Sequence, residues 1–329
     1  MAVEFMEGFD TFTAAQVARR YPGYSTQNMI TGRYGVGQAL QTQFDGQGIN
    51  ALITSRSEYY FGFDFLYQGY WFTDADAFCI LYSSGGAGIA SLSTYQPTTL
   101  VTTWGSTSSN VLPINTWMNL QAHIVISPTV GVFQVRIDGN YVINLTNINT
   151  GSTNIGQIRL IGGNWRWQTF DNFWIFNTLG THSNTWPVGR MTVQPLYPLS
   201  DGTYQQWTPD FGAAHYSMVH DLQPDDDTTY VIDTDPGHID SYGIQGITGF
   251  PSNVHGVRAD AVCRKDNAAI GKAAQTVVKS GSTLTSSSNF TLSTSYISGG
   301  MYVTDDPNTG QQWTTSGVNA LEVGVKTGI

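Results

Sequence analysis

Charge is scarce in this chain. Only 12% of its 329 residues are Asp, Glu, Lys or Arg, and the balance is acidic, with a formal net charge of −10 at pH 7. No basic field exists to neutralise a phosphate backbone or to coat an anionic lipid surface, which excludes nucleic acid and membranes as partners. Lysine is scarcer still. All four, Lys265, Lys272, Lys279 and Lys326, fall in the last quarter, while the first 264 residues carry arginine alone. That shift points to two modules, as the length also does. The two cysteines, Cys79 in DAFCILY and Cys263 in ADAVCRKD, sit in alternating strand-like runs far apart. They read as buried free thiols rather than a disulfide and imply no oxidising compartment. No run of about 18 apolar residues exists. The N-terminus MAVEFMEGFD is acidic and strand-like where an export signal would be basic and then apolar.

What is abundant is the material of short strands and tight turns. Apolar types make up 40%, aromatics 13%, and there are 36 glycines. In residues 114–150, Leu120, Ala122, Ile124 and Ile126 recur at every second position against Gln121 and His123, and Phe133, Val135 and Ile137 repeat the pattern. Pro128 and Gly131 bound the turn between the two runs, and Asp138-Gly139 supplies the reversal into NYVINL. Similar runs upstream and downstream predict an all-β fold of two tandem antiparallel β-sandwich, jelly-roll-like domains. The expected boundaries are a first sandwich over residues 1–180, a linker over 181–190 and a second sandwich over 191–329, which serves particle docking or interaction. A helix is predicted in TAAQVARRY, with Ala14, Val17 and Ala18 facing the sheet.

The 114–150 segment, with its Trp in NTWMNL, two alternating strands and DG, together with FDNFWIF, resembles the laminin-G-like and concanavalin A-like lectin/glucanase sandwiches. EGFDTF and GRYGVGQALQTQF resemble the opening strands of that family, so the likeness spans residues 4–178. The whole arrangement, this sandwich followed by LSDGTYQQWTP, HYSMVHD, DDDTTYVI, GVRADAVCRKD and DPNTGQQWTTSGVNALEVGVK, is similar over nearly the entire chain to virion structural proteins of tailed bacteriophages. This second resemblance implies a non-enzymatic component of a virion, a capsid decoration or tail protein. It would be a homo-oligomer held by contacts with other virion proteins and made in the host cytoplasm. The alternative reading is a carbohydrate-binding adhesin module for host-surface glycans.

The glucanases of the first family use two glutamates in an E-x-D-x-(x)-E strand motif, because one carboxylate attacks while another donates a proton from about 5 Å away. Here Glu4, Glu7, Glu58 and Glu322 are the whole complement, and none sits in such a motif. That hydrolase activity is therefore not inherited, and neither an enzyme nor a cofactor is expected. Asp64 in YYFGFDFLY with Asp74 and Asp76 in FTDADAF is a weaker acid pair, since Asp at strand ends usually forms turns. His215 and His220 are five apart and fit neither a strand face nor a helical zinc pair.

In PDDDTTYVIDTDPGHID, the residues Asp225, Asp227, Asp233 and Asp235 are calcium candidates, weighed against a solvated turn-forming loop that lacks the EF-hand order. Trp165 and Trp167 flank Arg166 on one strand face, and Tyr67, Tyr70 and Trp71 crowd another strand end. If those faces are outer, these rings bind sugar or protein; if inner, they are core.

Overall fold

The computed structural model describes residues 2–328 apart from 27, 45, 69–74, 96–98, 107–110, 164–166, 181, 183, 184, 213, 250, 252 and 269–271. The chain divides into two compact units, Met1–Val193 and Gln194–Ile329.

The first unit begins with β1 (Ala2–Glu7), β2 (Asn28–Thr31), β3 (Gln38–Thr42), β4 (Gly48–Arg56), β5 (Glu58–Gln68), β6 (Asp76–Tyr82) and β7 (Gly88–Tyr95). It continues through β8 (Thr99–Thr102), β9 (Gly105–Ser106), β10 (Trp117–Val125), β11 (Gly131–Ile137), β12 (Asn140–Ile148), β13 (Ile155–Ile161) and β14 (Trp167–Asn177). They form two antiparallel sheets. One has eight strands in the order β12-β11-β10-β5-β14-β3-β2, with β1 also paired to β14; the other has six in the order β4-β13-β6-β7-β8-β9.

The alternating pattern decides which face is buried. Phe61, Phe63 and Phe65 on β5 and Leu120, Ala122 and Ile124 on β10 are wholly buried, and their two-residue spacing puts each set on one face. Ile49, Ala51, Phe78, Leu81, Leu92 and Ile158 from the six-stranded sheet are equally buried. Phe65 joins the layers, stacking on Phe78 at a centroid distance of 4.6 Å and on Phe170 of β14 at 5.4 Å. Two sheets sealing one apolar layer make the expected sandwich. The β10–β12 meander also forms as expected. Leu120 lies opposite Ile137, and the two-residue turn between β11 and β12 has φ of 46° at Asp138 and 87° at Gly139, the backbone that tight hairpins require.

One irregularity shapes the sheet. Asp171 lies opposite Asp64, but Trp174 lies opposite Gly62, so β14 carries one residue more than β5 over this stretch. The extra residue is accommodated by Asn172, at φ 51°, as in a β-bulge. Phe170 and Phe173 both stay in the core, and Asp171 and Asn172 are left for the opposite face.

The predicted helix is shorter than expected. A 3-10 turn over Ala14–Gln16 leads into one α-turn over Val17–Arg20, and of Ala14, Val17 and Ala18 only Val17 is buried. Pro22 cannot continue a helix and disfavours helical backbone at Tyr21. Beyond β14 the chain returns over the outer face of the eight-stranded sheet. Trp186 stacks on Tyr60 at 5.5 Å, Gln121 Nε2 donates to the Gly189 carbonyl at 2.7 Å, and the Val193 N–H donates to Asn172 Oδ1 at 2.7 Å.

The second unit runs through β15 (Pro198–Gln205), β16 (Thr208–Pro209), β17 (Val231–Ile232), β18 (Ile239–Ile244), β19 (Val257–Cys263) and β20 (Ala273–Ser280). It ends with β21 (Thr283–Ser286), β22 (Phe290–Thr291), β23 (Ile297–Val303), β24 (Asp305–Asp306), β25 (Gln311–Gln312) and β26 (Glu322–Thr327). Its main sheet has the order β15-β18-β26-β20-β21, with β22 also on β20, and β19 pairs with β23. Trp313, Val278, Val318, Leu321, Ala259 and Val303 form its core, where the Trp313 Nε1–H donates to the Val303 carbonyl at 2.9 Å. Both units are thus all-β and antiparallel. Cys79 and Cys263 are free thiols. Among the described residues, no helix is long and apolar enough to cross a membrane.

Candidate functional site

Because Phe65 and Met118 point inward, their neighbours Leu66 and Trp117 point out from the eight-stranded sheet, and the register then aligns one side chain from each of five strands. Trp117 lies opposite Leu66, Leu66 opposite Thr169, Thr169 opposite Gln41 and Gln41 opposite Asn28. At the usual strand spacing of about 4.8 Å the row is about 19 Å long. Asn28 is exposed, Gln41 and Trp117 are half-buried, and Thr169 is buried beneath its neighbours. Among the described residues the Thr169 hydroxyl has no hydrogen-bond partner. Gln68, whose Oε1 accepts from Gln41 Nε2 at 3.2 Å, and half-buried Trp167 lie opposite each other on one side of the row.

On its other side is a second row, Asn119, Asp64 and Asp171, aligned by the same register. Asp64 is wholly buried. It accepts from Arg33 Nη1 at 2.6 Å, Asn119 Nδ2 at 2.9 Å and Asn172 Nδ2 at 3.0 Å. Arg33 also reaches Asp138 Oδ1 at 3.4 Å. Its own backbone N–H donates to Asp171 Oδ2 at 3.0 Å. Burial pushes the Asp171 carboxyl up to about 7, against the backbone hydrogen bonds from Arg33 and Asn172 and with help from Asp10 and Asp64. Asp10 is pushed up to about 6, again mainly by burial, although it accepts from the Gln38 N–H at 2.5 Å. The loop over residues 32–37 covers these acids and presents Tyr34, half exposed, with the exposed Arg190 guanidinium 5.0 Å from its ring. The face therefore offers planar amides and aromatic rings, and beneath the loop lie a guanidinium in an ion pair and a carboxylic acid that changes protonation near neutral pH.

The residues singled out from sequence are dispersed. Trp165, Tyr70 and Trp71, and Asp74 of the weaker acid pair, lie outside the described residues. Trp167 is on the outer face as described. Tyr67 corrects the expectation: it is 1% exposed and stacks near Phe65 at 6.2 Å, because it shares the inward phase of Phe61, Phe63 and Phe65. It offers neither a sugar platform nor an interface.

The four calcium candidates do not converge either. Asp225 accepts from the Thr229 hydroxyl at 2.9 Å, and Asp227 is held by Arg264 and Tyr296. Asp233 and Asp235 instead meet His238, three residues further along the same turn. His215 bonds both oxygens of the buried Asp240 at 3.0 Å, and the Tyr242 hydroxyl donates to the same carboxylate at 2.7 Å. Arg33, Asn119, Asp171 and Asn172 were missed. The available signal was a polar residue flanked by strongly apolar ones in mid-strand, as in FDFL, MNLQ and FDNF.

No protein-family model matches the chain, and no curated protein matches it. Among solved structures it is similar to the alginate lyase Aly36B, at 12% identity and a TM-score of 0.38 over 54% of this chain and 98% of that one. The cellulose-induced protein Cip1 matches at 11% and 0.37, over 53% and 91%. The Caenorhabditis elegans galectin LEC-6 matches at 13% and 0.28, over 42% and 96%. These likenesses lend the tailed-phage resemblance no support. At these scores the likeness assigns neither reaction nor ligand. The expectation that the chain is not an enzyme nevertheless does not stand, because solved structures similar to it include several alginate lyases and sialidases. The sequence argument tested one arrangement, a glutamate pair on a strand. The fold gathers its acids by another route, bringing Asp10, Asp64 and Asp171 together from separate segments.

Proposed function

We propose that the first unit binds a polysaccharide chain laid across the strands on the outer face of its eight-stranded sheet. The observation that carries this reading is the register-aligned row Trp117, Leu66, Thr169, Gln41 and Asn28. It sets a ring at one end and two amides at the other over about 19 Å, with Leu66 and the Thr169 hydroxyl buried between them. Sugars present apolar faces to rings and hydroxyls to amides, so this mixture suits them better than it suits an apolar ligand. A host-surface glycan is the source that the sequence resemblance implies.

A second reading, cleavage of the bound chain, is favoured by one observation. Asp171, held at about 7, lies opposite Asp64, whose carboxylate is paired with Arg33. Such a pair offers a proton donor beside a fixed carboxylate at neutral pH. One experiment serves both readings: a glycan array followed by incubation of any bound polysaccharide with assay for new chain ends. Trp117→Ala should weaken binding by about tenfold or more, equivalent to about 1.4 kcal/mol. Gln41→Ala should weaken it by about two- to tenfold, the loss of one hydrogen bond. Binding unaltered in both variants, each with an unchanged circular dichroism spectrum, would exclude this face. New chain ends abolished by Asp171→Asn would establish cleavage.

A further inference from the structure

We propose that Asp233, Asp235 and His238 in the second unit form a site for a divalent transition ion of the zinc class. One ligand atom from each lies within 4.8 Å of the other two. His238 Nδ1 is 3.2 Å from Asp233 Oδ2 and 4.0 Å from Asp235 Oδ2. Two ligands bonded to one ion at about 2.1 Å, with an angle of about 100–110° between them, stand about 3.2–3.4 Å apart. The Asp233–His238 separation matches that value, and the exposed Asp235 side chain closes its longer gap by rotation about its own bonds.

A second observation points to the same place. Asp233 Oδ2 and His238 Nδ1 are both buried atoms, and among the described residues neither has a hydrogen-bond partner. They face each other without the geometry of a hydrogen bond. They stand as a close His–Asp pair at 3.2 Å, and a cation between them would bond both. The Lys272 ammonium donates to the Thr234 carbonyl in the same turn at 3.1 Å.

The loop is held in shape by bonds that do not involve the three side chains. Thr327 N donates to the His238 carbonyl at 3.0 Å, and the Gly237 N–H donates to the Thr327 carbonyl at 3.1 Å. The Thr327 hydroxyl donates to the Asp235 carbonyl at 2.5 Å, and Trp207 Nε1 donates to the His238 carbonyl at 3.3 Å. The ligands are therefore presented by a preformed turn at the entry to β18, which lowers the ordering cost of binding. An imidazole in the set selects against calcium, which takes oxygen ligands alone, and in favour of zinc and its neighbours. Three protein ligands leave a coordination position for water.

The test uses the untagged full chain, stripped with a chelator and dialysed, then titrated calorimetrically with zinc chloride and in parallel with calcium chloride. One zinc per chain is expected, with no calcium heat at millimolar concentration. His238→Ala should weaken zinc binding by more than the roughly 10–100-fold that loss of an outer-shell partner costs. Asp235→Asn, at an exposed side chain, should weaken it with the thermal midpoint of the metal-free protein unchanged. Cobalt(II) added to the wild type should give visible absorption bands that His238→Ala lacks. Absence of zinc heat, zinc binding unchanged in His238→Ala, or calcium bound as tightly as zinc would each overturn the assignment.

Discussion

Asp171 illustrates how the burial of one carboxyl makes stability depend on pH. It is 6% exposed; Oδ2 accepts from the Arg33 N–H at 3.0 Å and Oδ1 from the Asn172 N–H at 2.7 Å. Burial outweighs those two bonds, so its carboxyl sits at about 7 against an ordinary 3.8. Between those values the folded chain binds a proton that the unfolded chain releases. The contribution of Asp171 is thus fully present below about pH 4 and is lost as the pH rises through about 7. Asn at this position keeps one carbonyl oxygen, for one of the two N–H donors, and cannot ionise. Asp171→Asn should therefore lower stability near pH 4 by about 1–3 kcal/mol, the cost of one N–H left without its acceptor, and should remove the fall of a few kcal/mol between pH 4 and pH 8 that the linkage relation gives the wild type. Urea unfolding at pH 4, 6 and 8 checks this, with a residual slope expected from Asp10, whose carboxyl sits at about 6. A variant curve parallel to that of the wild type would show that burial of Asp171 has no such effect.

At the scale of the elements, the outer face depends on one bulge and one tight loop. The bulge at Asn172 lets two consecutive residues, Asp171 and Asn172, serve the same polar row while Phe170 and Phe173 stay in the core. In the loop, Gly37 has φ 67°, and a Cβ there would stand 2.2 Å from Asp10 Oδ1. Gly37→Ala would have to displace the carboxylate that accepts from the Gln38 N–H. It should cost about 1–3 kcal/mol, seen as a lower urea midpoint at unchanged m-value; an unchanged midpoint would show that the loop absorbs the extra methyl. The same two elements explain what the sequence disclosed and what it hid. Leu120, Ala122 and Ile124 announce their strand because a local two-residue period is enough to bury them. Asp64 stood out as a polar residue inside YYFGFDFLY, but its partners Arg33, Asn119 and Asn172 lie 31, 55 and 108 residues away, and no local period links them. A bulge shifts phase by one residue without a sequence signature of its own, which is why Asp171 and Asn172 escaped notice. His238 was hidden in a different way, since its meeting with Asp233 and Asp235 is made by a turn rather than by a repeat.

Over the whole molecule, acids are treated in opposite ways in the two units. In the first, Asp10 and Asp171 are raised by burial. In the second, burial would raise Glu322, but bonds from Lys279, Ser241 and Thr203 hold it down to about 2. A lowered carboxyl contributes stability above its ordinary value of 4.5 and loses it as the pH falls towards 2. His255, held down by burial, acts in the same direction from 6.5 downward. Glu58 in the first unit, held down chiefly by its hydrogen bond from His123, also loses stability in acid, so the informative window for that unit lies above about pH 4.5. Each unit has a core of its own, and separate cores favour separate calorimetric transitions. Acidification from about pH 7 to 4.5 should raise the midpoint of the first unit and leave that of the second level or lower; further acidification should lower the second steeply. Asp171→Asn should flatten one transition above pH 4.5 and Glu322→Gln the other below it, which assigns each to its unit. Two transitions that move together at every pH, or both substitutions acting on the same one, would mean that the units unfold as a single cooperative body and that their opposed electrostatics do not act separately.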